Sequence, residues 1–308
     1  MSSHQPKYLT KSRFKLAVEC PTKLFYTSKR DYANTMNEDE FMAMLADGGF
    51  QVGELAKLMY PGGVEIKAKA VDEAVAETAQ RMAEDEVVLF EPAIVFDDFL
   101  VRVDVLIKRG NFIRVIEVKA KSYDGDPSCM QGKRNAINSE YRSYLEDVAF
   151  QKYVVTQAFP QATVTAHLLM PDKTKTAPVN GLNQWFKVKR EGRNTEVTVD
   201  ERAHQPGLAD SVLTCVDVDF LVDEVFKQGL IFPGGPAPLQ QAASDWAKAY
   251  SAGQRIPPAL GKHCSSCEFH APLGSDLKSG FHECWRSVLG WQDADSTQGT
   301  VLDLWNSR

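Results

Sequence analysis

The stretch that most constrains this chain is its centre, residues 87–122, "VVLFEPAIVFDDFLVRVDVLIKRGNFIRVIEVKAKS". β-branched and apolar residues alternate with polar ones, and Asp97-Asp98 and Gly110-Asn111 punctuate the run as two-residue hairpin loops. Such a segment predicts an antiparallel meander. With both loops tight, Asp104 falls opposite Glu117 and Glu91 falls opposite Asp104, with facing Cβ atoms about 4.5–5.5 Å apart. Three carboxylates so placed repel one another, and a divalent metal ion is the simplest compensating cation. Lys119 lies two residues beyond Glu117 and so on the same face of the pleat. One extra loop residue would send these side chains to opposite faces.

The remaining elements follow from similar cues. "LTKSRFKLAVEC" predicts a short helix ending at Cys20-Pro21, because proline disfavours helix in the residue before it. Asn37 to Glu40 has capping-box spacing ahead of a helix that should break at Gly48-Gly49. A helix over about 71–85 precedes the meander, and a long one over about 138–158 follows it, with Tyr144, Val148, Gln151 and Val155 at helical spacing. "TVTAHLLM" is a further strand, "QWFKVKREGRNTEVTVD" a hairpin, "VDFLVDEVFKQG" a helix and "IFPGGPAPLQ" a connector.

Composition excludes several classes. With 308 residues, 44% of them hydrophobic, the chain can bury a substantial core in one or two domains. It has no run of about 18 apolar residues and no signal-peptide pattern, so the cytoplasm is the expected compartment. A net charge of −6 argues against a protein that coats nucleic acid non-specifically, though not against a local basic groove. Lys121, Lys133, Arg134, Lys173 and Lys175 are candidates for one, although scattered surface charge is commoner.

The carboxylate row suits phosphodiester hydrolysis. Asp104 and Glu117 can hold Mg²⁺ or Mn²⁺ through oxygen, leaving positions for water and a phosphate oxygen. Lys119 can orient the attacking water or stabilise the charged transition state. Glu-x-Lys by itself is a common pattern, and it gains weight only from the paired Asp and the helix that follows. Six cysteines are too few for a disulfide scaffold. Cys264-x-x-Cys267 with Cys284, and Cys20 far upstream, has the spacing of a soft-metal site. Zinc completed by His263, His270 or His282 is the rival arrangement, and spacing does not separate the two. Cys129 and Cys215 have no such partners.

"RVDVL" with "IEVKAKS" resembles the signature of the PD-(D/E)XK nucleases. The cysteine pattern resembles the iron-sulfur staple of the RecB-like branch, which includes the AddB nuclease domain and the CRISPR-adaptation exonucleases. "LTKSRFKLAVECPTKLFY" is similar to that branch's first helix, and the resemblance covers about residues 8–288. It implies Asp104 and Glu117 as metal ligands, Lys119 as the catalytic lysine, and Cys20, Cys264, Cys267 and Cys284 as ligands of a 4Fe-4S cluster. "DVAFQKYVV" resembles the motif in which a Gln and a Tyr one turn apart contact DNA or the active site. Gln151 fits it, whereas Val155 stands at the tyrosine position and Tyr153 is displaced by two. Many relatives carry a metal-binding His where this chain has Gly53, so either Glu54 or Glu91 supplies the missing ligand or the metal site is weaker, and the strand register favours Glu91. The overall pattern is similar to the N-terminal part of a bacterial group in which such a region precedes a C-terminal domain of unknown function.

The expected fold is therefore α/β: a restriction-endonuclease-like central mixed sheet, built on the meander and the 163–170 strand, flanked by helices, its ends joined by a cysteine-ligated cluster. A nuclease-like domain would span 1–289, and 290–308 would be an acidic tail or linker. The expected activity is metal-dependent cleavage of DNA, at single-stranded ends more than at a set sequence, since no base-reading helix is apparent. The alternatives are a non-catalytic nucleic-acid-binding or partner-docking module of the same fold, and a zinc-stapled version.

Overall fold

The computed structural model describes residues 6–35, 40–133, 136–191, 194–272 and 274–292, together with Asp295 and Leu302. Arg134 of the candidate basic groove, Asn37 of the capping box and most of the expected 290–308 tail lie outside the described residues.

In chain order the first elements are strand β1 (Leu9–Thr10) and helices α1 (Lys11–Glu19), α2 (Lys23–Tyr26) and α3 (Glu40–Leu58). Strand β2 (Val64–Glu65) and helix α4 (Val71–Met82) lead into the meander, β3 (Glu86–Phe90), β4 (Ala93–Phe96), β5 (Phe99–Arg102), β6 (Val105–Arg109) and β7 (Phe112–Val118). Then come α5 (Ser139–Ala158), β8 (Thr163–Pro171), β9 (Phe186–Glu191), β10 (Asn194–Val199), β11 (Leu213–Asp217) and α6 (Asp219–Gln228). The chain closes with β12 (Leu230–Phe232), β13 (Gly235–Ala237), α7 (Leu239–Ser251) and α8 (Gly280–Leu289). Among the described residues no helix is long and apolar enough to cross a membrane.

These elements form two compact units, a division that the sequence reading does not draw. One comprises residues 41–228, and the other joins residues 1–40 to residues 229–308. The first is mixed α/β. Its six-stranded sheet runs β11-β8-β7-β6-β3-β2, with β7–β8 and β2–β3 parallel and the other pairs antiparallel. β2 and β11 are additions to the expected sheet, whereas β4 and β5 pair as a hairpin outside it.

Both hairpin loops have the expected length. Phe96 pairs with Phe99 and Arg109 with Phe112, and the first loop residue takes a left-handed conformation in each, Asp97 at φ 48° and Gly110 at φ 55°. The long hairpin is bent where β3 gives way to β4. Glu91 stands there at φ 55°, and Pro92 has no N–H to continue the ladder. The register survives the bend, because Glu91 N–H still donates to Asp104 O (3.3 Å) and Val103 N–H to Pro92 O (3.2 Å).

The sheet buries both faces. On one side Val105, Ile107, Ile116 and Leu169 pack with Leu55 and Ala56 of α3 and with Phe186 of the β9–β10 hairpin. The other side carries α5, whose buried stripe includes Leu145, Val148, Gln151 and Val155. Helix α3 runs unbroken through Gly48 and Gly49, contrary to the expected break, because its apolar face is held against the sheet and tertiary packing outweighs a cost of about 1 kcal/mol per glycine.

In the unit made from both chain ends, α1 is capped by the Thr10 side chain, which accepts from Arg13 N, and stops at Cys20 in extended conformation. Phe14 of α1 packs its ring 5.9 Å from that of Trp246 of α7, and Phe232 of β12 stacks edge-on to the same indole at 4.9 Å. The expected connector 231–240 is in part a small hairpin, β12–β13, opening at Gly234 and Gly235 with φ near 113° and 122°.

Candidate active site and cysteine centre

The end of β7 places its charges as the alternation predicts. Ile116 faces the α3 side, so Glu117 faces α5, and it is only 2% exposed. The Val105–Ile116 pair puts Asp104 opposite Glu117 at the next step, and Asp104 Oδ2 accepts a hydrogen bond from Val118 N–H at 2.7 Å. The register also puts Glu91 opposite Asp104, at the strained turn of the bend. The carboxylate row of the sequence reading thus matches the strand register.

Each oxygen of Glu117 has a partner. Lys119 Nζ donates to Oε1 at 2.6 Å and Gln151 Nε2 to Oε2 at 2.7 Å. Gln151 comes from the middle of α5 and is fully buried, and its Oε1 is buried without a hydrogen bond. An unsatisfied buried acceptor costs about 1–3 kcal/mol, and such groups concentrate where a ligand, ion or water completes a site. A buried oxygen acceptor on the amide that holds the Glu117 carboxylate is of the ligand type that a hard divalent cation takes.

Lys119 Nζ also donates to Asp147 Oδ2 at 2.7 Å, so one ammonium bridges two carboxylates. Burial alone would lower the pKa of this lysine, but the charges of Glu117 and Asp147 outweigh it and hold the amine above its ordinary range. Lys119 is thus a fixed cation rather than a free base at neutral pH. Tyr144, three residues before Asp147, presents its ring 5.3 Å from Lys119 Nζ.

Sequence reasoning missed Asp147. Its signal was present, since it lies one helical turn before Gln151, on the stripe that faces the sheet. Other expected residues fall elsewhere. Glu54 is bound by Lys57 (2.7 Å), which also holds Glu65 (2.6 Å), a network of α3 and β2. Val155 is core, and Tyr153 packs edge-on to Phe99 at 5.9 Å. Of the candidate basic groove, Lys121 pairs with Glu140 near Tyr141, Lys173 pairs with Asp124, and Lys175 caps the carbonyls of Asp210 and Leu213. Lys133 is exposed.

The four expected cysteines line one pocket in the unit built from both chain ends. Cys20 arrives at the end of α1, Cys264 and Cys267 at a tight turn, and Cys284 on α8, with Lys23, Tyr26, His263 and Trp285 among the walls. The thiols are near enough to influence one another electrostatically, Cys20 with Cys284, Cys264 with Cys284, and Cys267 with Cys20. Burial raises the pKa of Cys20 and Cys264 and lifts that of Cys267 to about 12, while Lys23 pulls all three down. Lys23 is itself buried and paired with Glu268 at 2.6 Å and Glu19 at 3.1 Å.

Hydrogen-bond donors converge on the same pocket. Arg255 Nη2 donates to Cys284 Sγ at 3.3 Å, while Arg255 Nε and Trp285 Nε1 are buried without hydrogen-bond partners. Trp285 is nonetheless close enough to Cys264 to lower its pKa. Surplus N–H donors beside four thiols fit a group that carries further sulfur acceptors. Among the described residues no three His, Cys, Asp or Glu side chains converge as ligands of a single ion. Of the histidines in the zinc arrangement, His263 lines the pocket, 3.6 Å from Cys264 Sγ at Nε2, whereas His270 and His282 pack against each other with ring centroids 5.0 Å apart. Cys129 meets the Tyr141 hydroxyl and Cys215 meets Arg114.

No protein-family model matches the chain, and no curated protein matches it in sequence.

Proposed function

We propose that the chain is a metal-dependent DNA nuclease of the PD-(D/E)XK type, with a restriction-endonuclease-like fold and a RecB-like 4Fe-4S staple. The observation that carries this reading is the buried Glu117, bound by Lys119 on one oxygen and by Gln151 on the other, at the strand position facing Asp104. A structural role alone gives little reason to bury a carboxylate beside two more acids, since desolvation of charge costs several kcal/mol.

Asp104 and Glu117 would hold Mg²⁺ or Mn²⁺, with Glu91 next in the row. When bound, the ion supplies Lewis acidity and a water of lowered pKa. Gln151 orients the Glu117 carboxylate. Lys119, kept charged by two acids, draws negative charge from the phosphate as the scissile bond breaks. The substrate expected on these grounds is DNA with single-stranded ends, because cleavage here rests on backbone chemistry and not on base contacts. Cys20, Cys264, Cys267 and Cys284 would hold the cluster and so tie the first helix to the C-terminal helices of the same unit, a role in folding apart from the chemistry.

Two experiments test the reading. Protein purified without oxygen should be brown, with a broad band near roughly 400 nm, whereas colourless protein carrying zinc would overturn the cluster assignment. With Mn²⁺ it should degrade labelled single-stranded DNA, and Glu117→Ala should not. Binding of DNA without cleavage would show a non-catalytic module.

A further inference from the structure

Lys119 occupies one oxygen of Glu117, the group that a divalent ion would need. A cation on that carboxylate competes with the ammonium, because a divalent ion and an ammonium sharing one buried carboxylate repel each other. The amine therefore needs a second anion to remain in place once Glu117 is shared. Asp147 is that anion: it is 1% exposed, rises from α5 one turn before Gln151, and already holds Lys119 at 2.7 Å. The buried Gln151 Oε1, which has no hydrogen bond, is the independent sign that the surroundings of Glu117 are built for a further polar partner.

We propose that Asp147 is a positioning residue that retains the Lys119 ammonium and so frees Glu117 to bind the divalent ion. The inference rests on the reading of Asp104 and Glu117 as a metal site and adds to it a further acid, one that acts through the lysine. Asp147 serves metal affinity and the placement of Lys119 together. Without it, the ammonium has only Glu117 to pair with and contests that carboxylate with the ion.

Mn²⁺ binding to the full chain, followed by electron paramagnetic resonance of the free ion, tests this without any catalytic readout. The dissociation constant should rise at least about fivefold in Asp147→Asn, equivalent to about 1 kcal/mol. In a Lys119→Gln background, where there is no ammonium to retain, the same Asp147→Asn change should leave Mn²⁺ affinity within about twofold. A merely structural role for Asp147 would weaken binding equally in both backgrounds and would overturn the proposal, as would unchanged affinity in the single variant. Melting curves identify any variant that fails to fold, and Asp147→Glu, which keeps the anion, should restore at least part of the affinity. If the wild-type chain binds no Mn²⁺, the metal-site reading itself fails and this inference with it. Wild-type binding that Asp147→Asn leaves intact sinks the inference alone.

Discussion

At the scale of single residues, the site is an electrostatic balance in which one ammonium serves two buried acids. Lys119→Met should therefore destabilise the protein by about 3–5 kcal/mol, because it leaves Glu117 and Asp147 as uncompensated buried charges. The double variant Lys119→Met/Asp147→Asn should recover part of that loss in urea unfolding. A second residue makes stability depend on pH. Burial, and then the neighbouring Arg114, hold His167 below its ordinary pKa, and Arg114 Nε donates to its Nε2 at 3.2 Å. The unfolded chain then takes up a proton that the folded chain refuses, so stability should fall as pH drops through the ordinary histidine range near about 6.5. His167→Gln, which accepts the same hydrogen bond and does not titrate, should flatten the slope between pH 7 and 5.

Among the elements, the bent hairpin is where local strain meets chemistry. Glu91 holds φ at 55°, a conformation that costs a non-glycine residue about 1 kcal/mol or more. Glu91→Gly should thus unfold at the same or a higher urea concentration, while Glu91→Val should lose stability. If Glu91 assists the metal, the glycine variant should still bind Mn²⁺ more weakly. The hairpin also shows what was legible beforehand. Two-residue loops and strict alternation left one register, so the facing of Asp104 and Glu117 could be read from Gly110-Asn111 alone. The helix on the same face can be placed, yet Asp147 is easily missed, because an acid on a helix is ordinarily a solvated one and only its place one turn before Gln151 marks it as buried. Helix α7 had its own period in Leu239, Ala242, Ala243, Trp246, Ala247 and Tyr250, all buried, but the Pro and Gly residues before it masked its start. β2 and β11 are short strands recruited by pairing, and no local pattern announces them.

For the whole molecule, the four cysteines belong to a unit assembled from both ends of the chain, whereas Glu117 and its partners belong to the unit formed by residues 41–228. If these cysteines hold the proposed cluster, its loss should raise hydrogen exchange in residues 11–26 and 239–289 and leave β6, β7 and β8 protected. Cys20→Ser should have the same pattern, since it removes the thiol through which the proposed cluster would join the N-terminal segment to the rest of that unit. Glu117 and its partners are proposed to make a metal-dependent nuclease site. It is tested most directly by incubating oxygen-free protein with Mn²⁺ and end-labelled single-stranded DNA, wild type beside Glu117→Ala. Degradation by the wild type should stop on chelation and should fall at least about a hundredfold in the variant, the loss of about 2.7 kcal/mol of transition-state stabilisation. An inactive wild type, or a variant as active as the wild type, would contradict it.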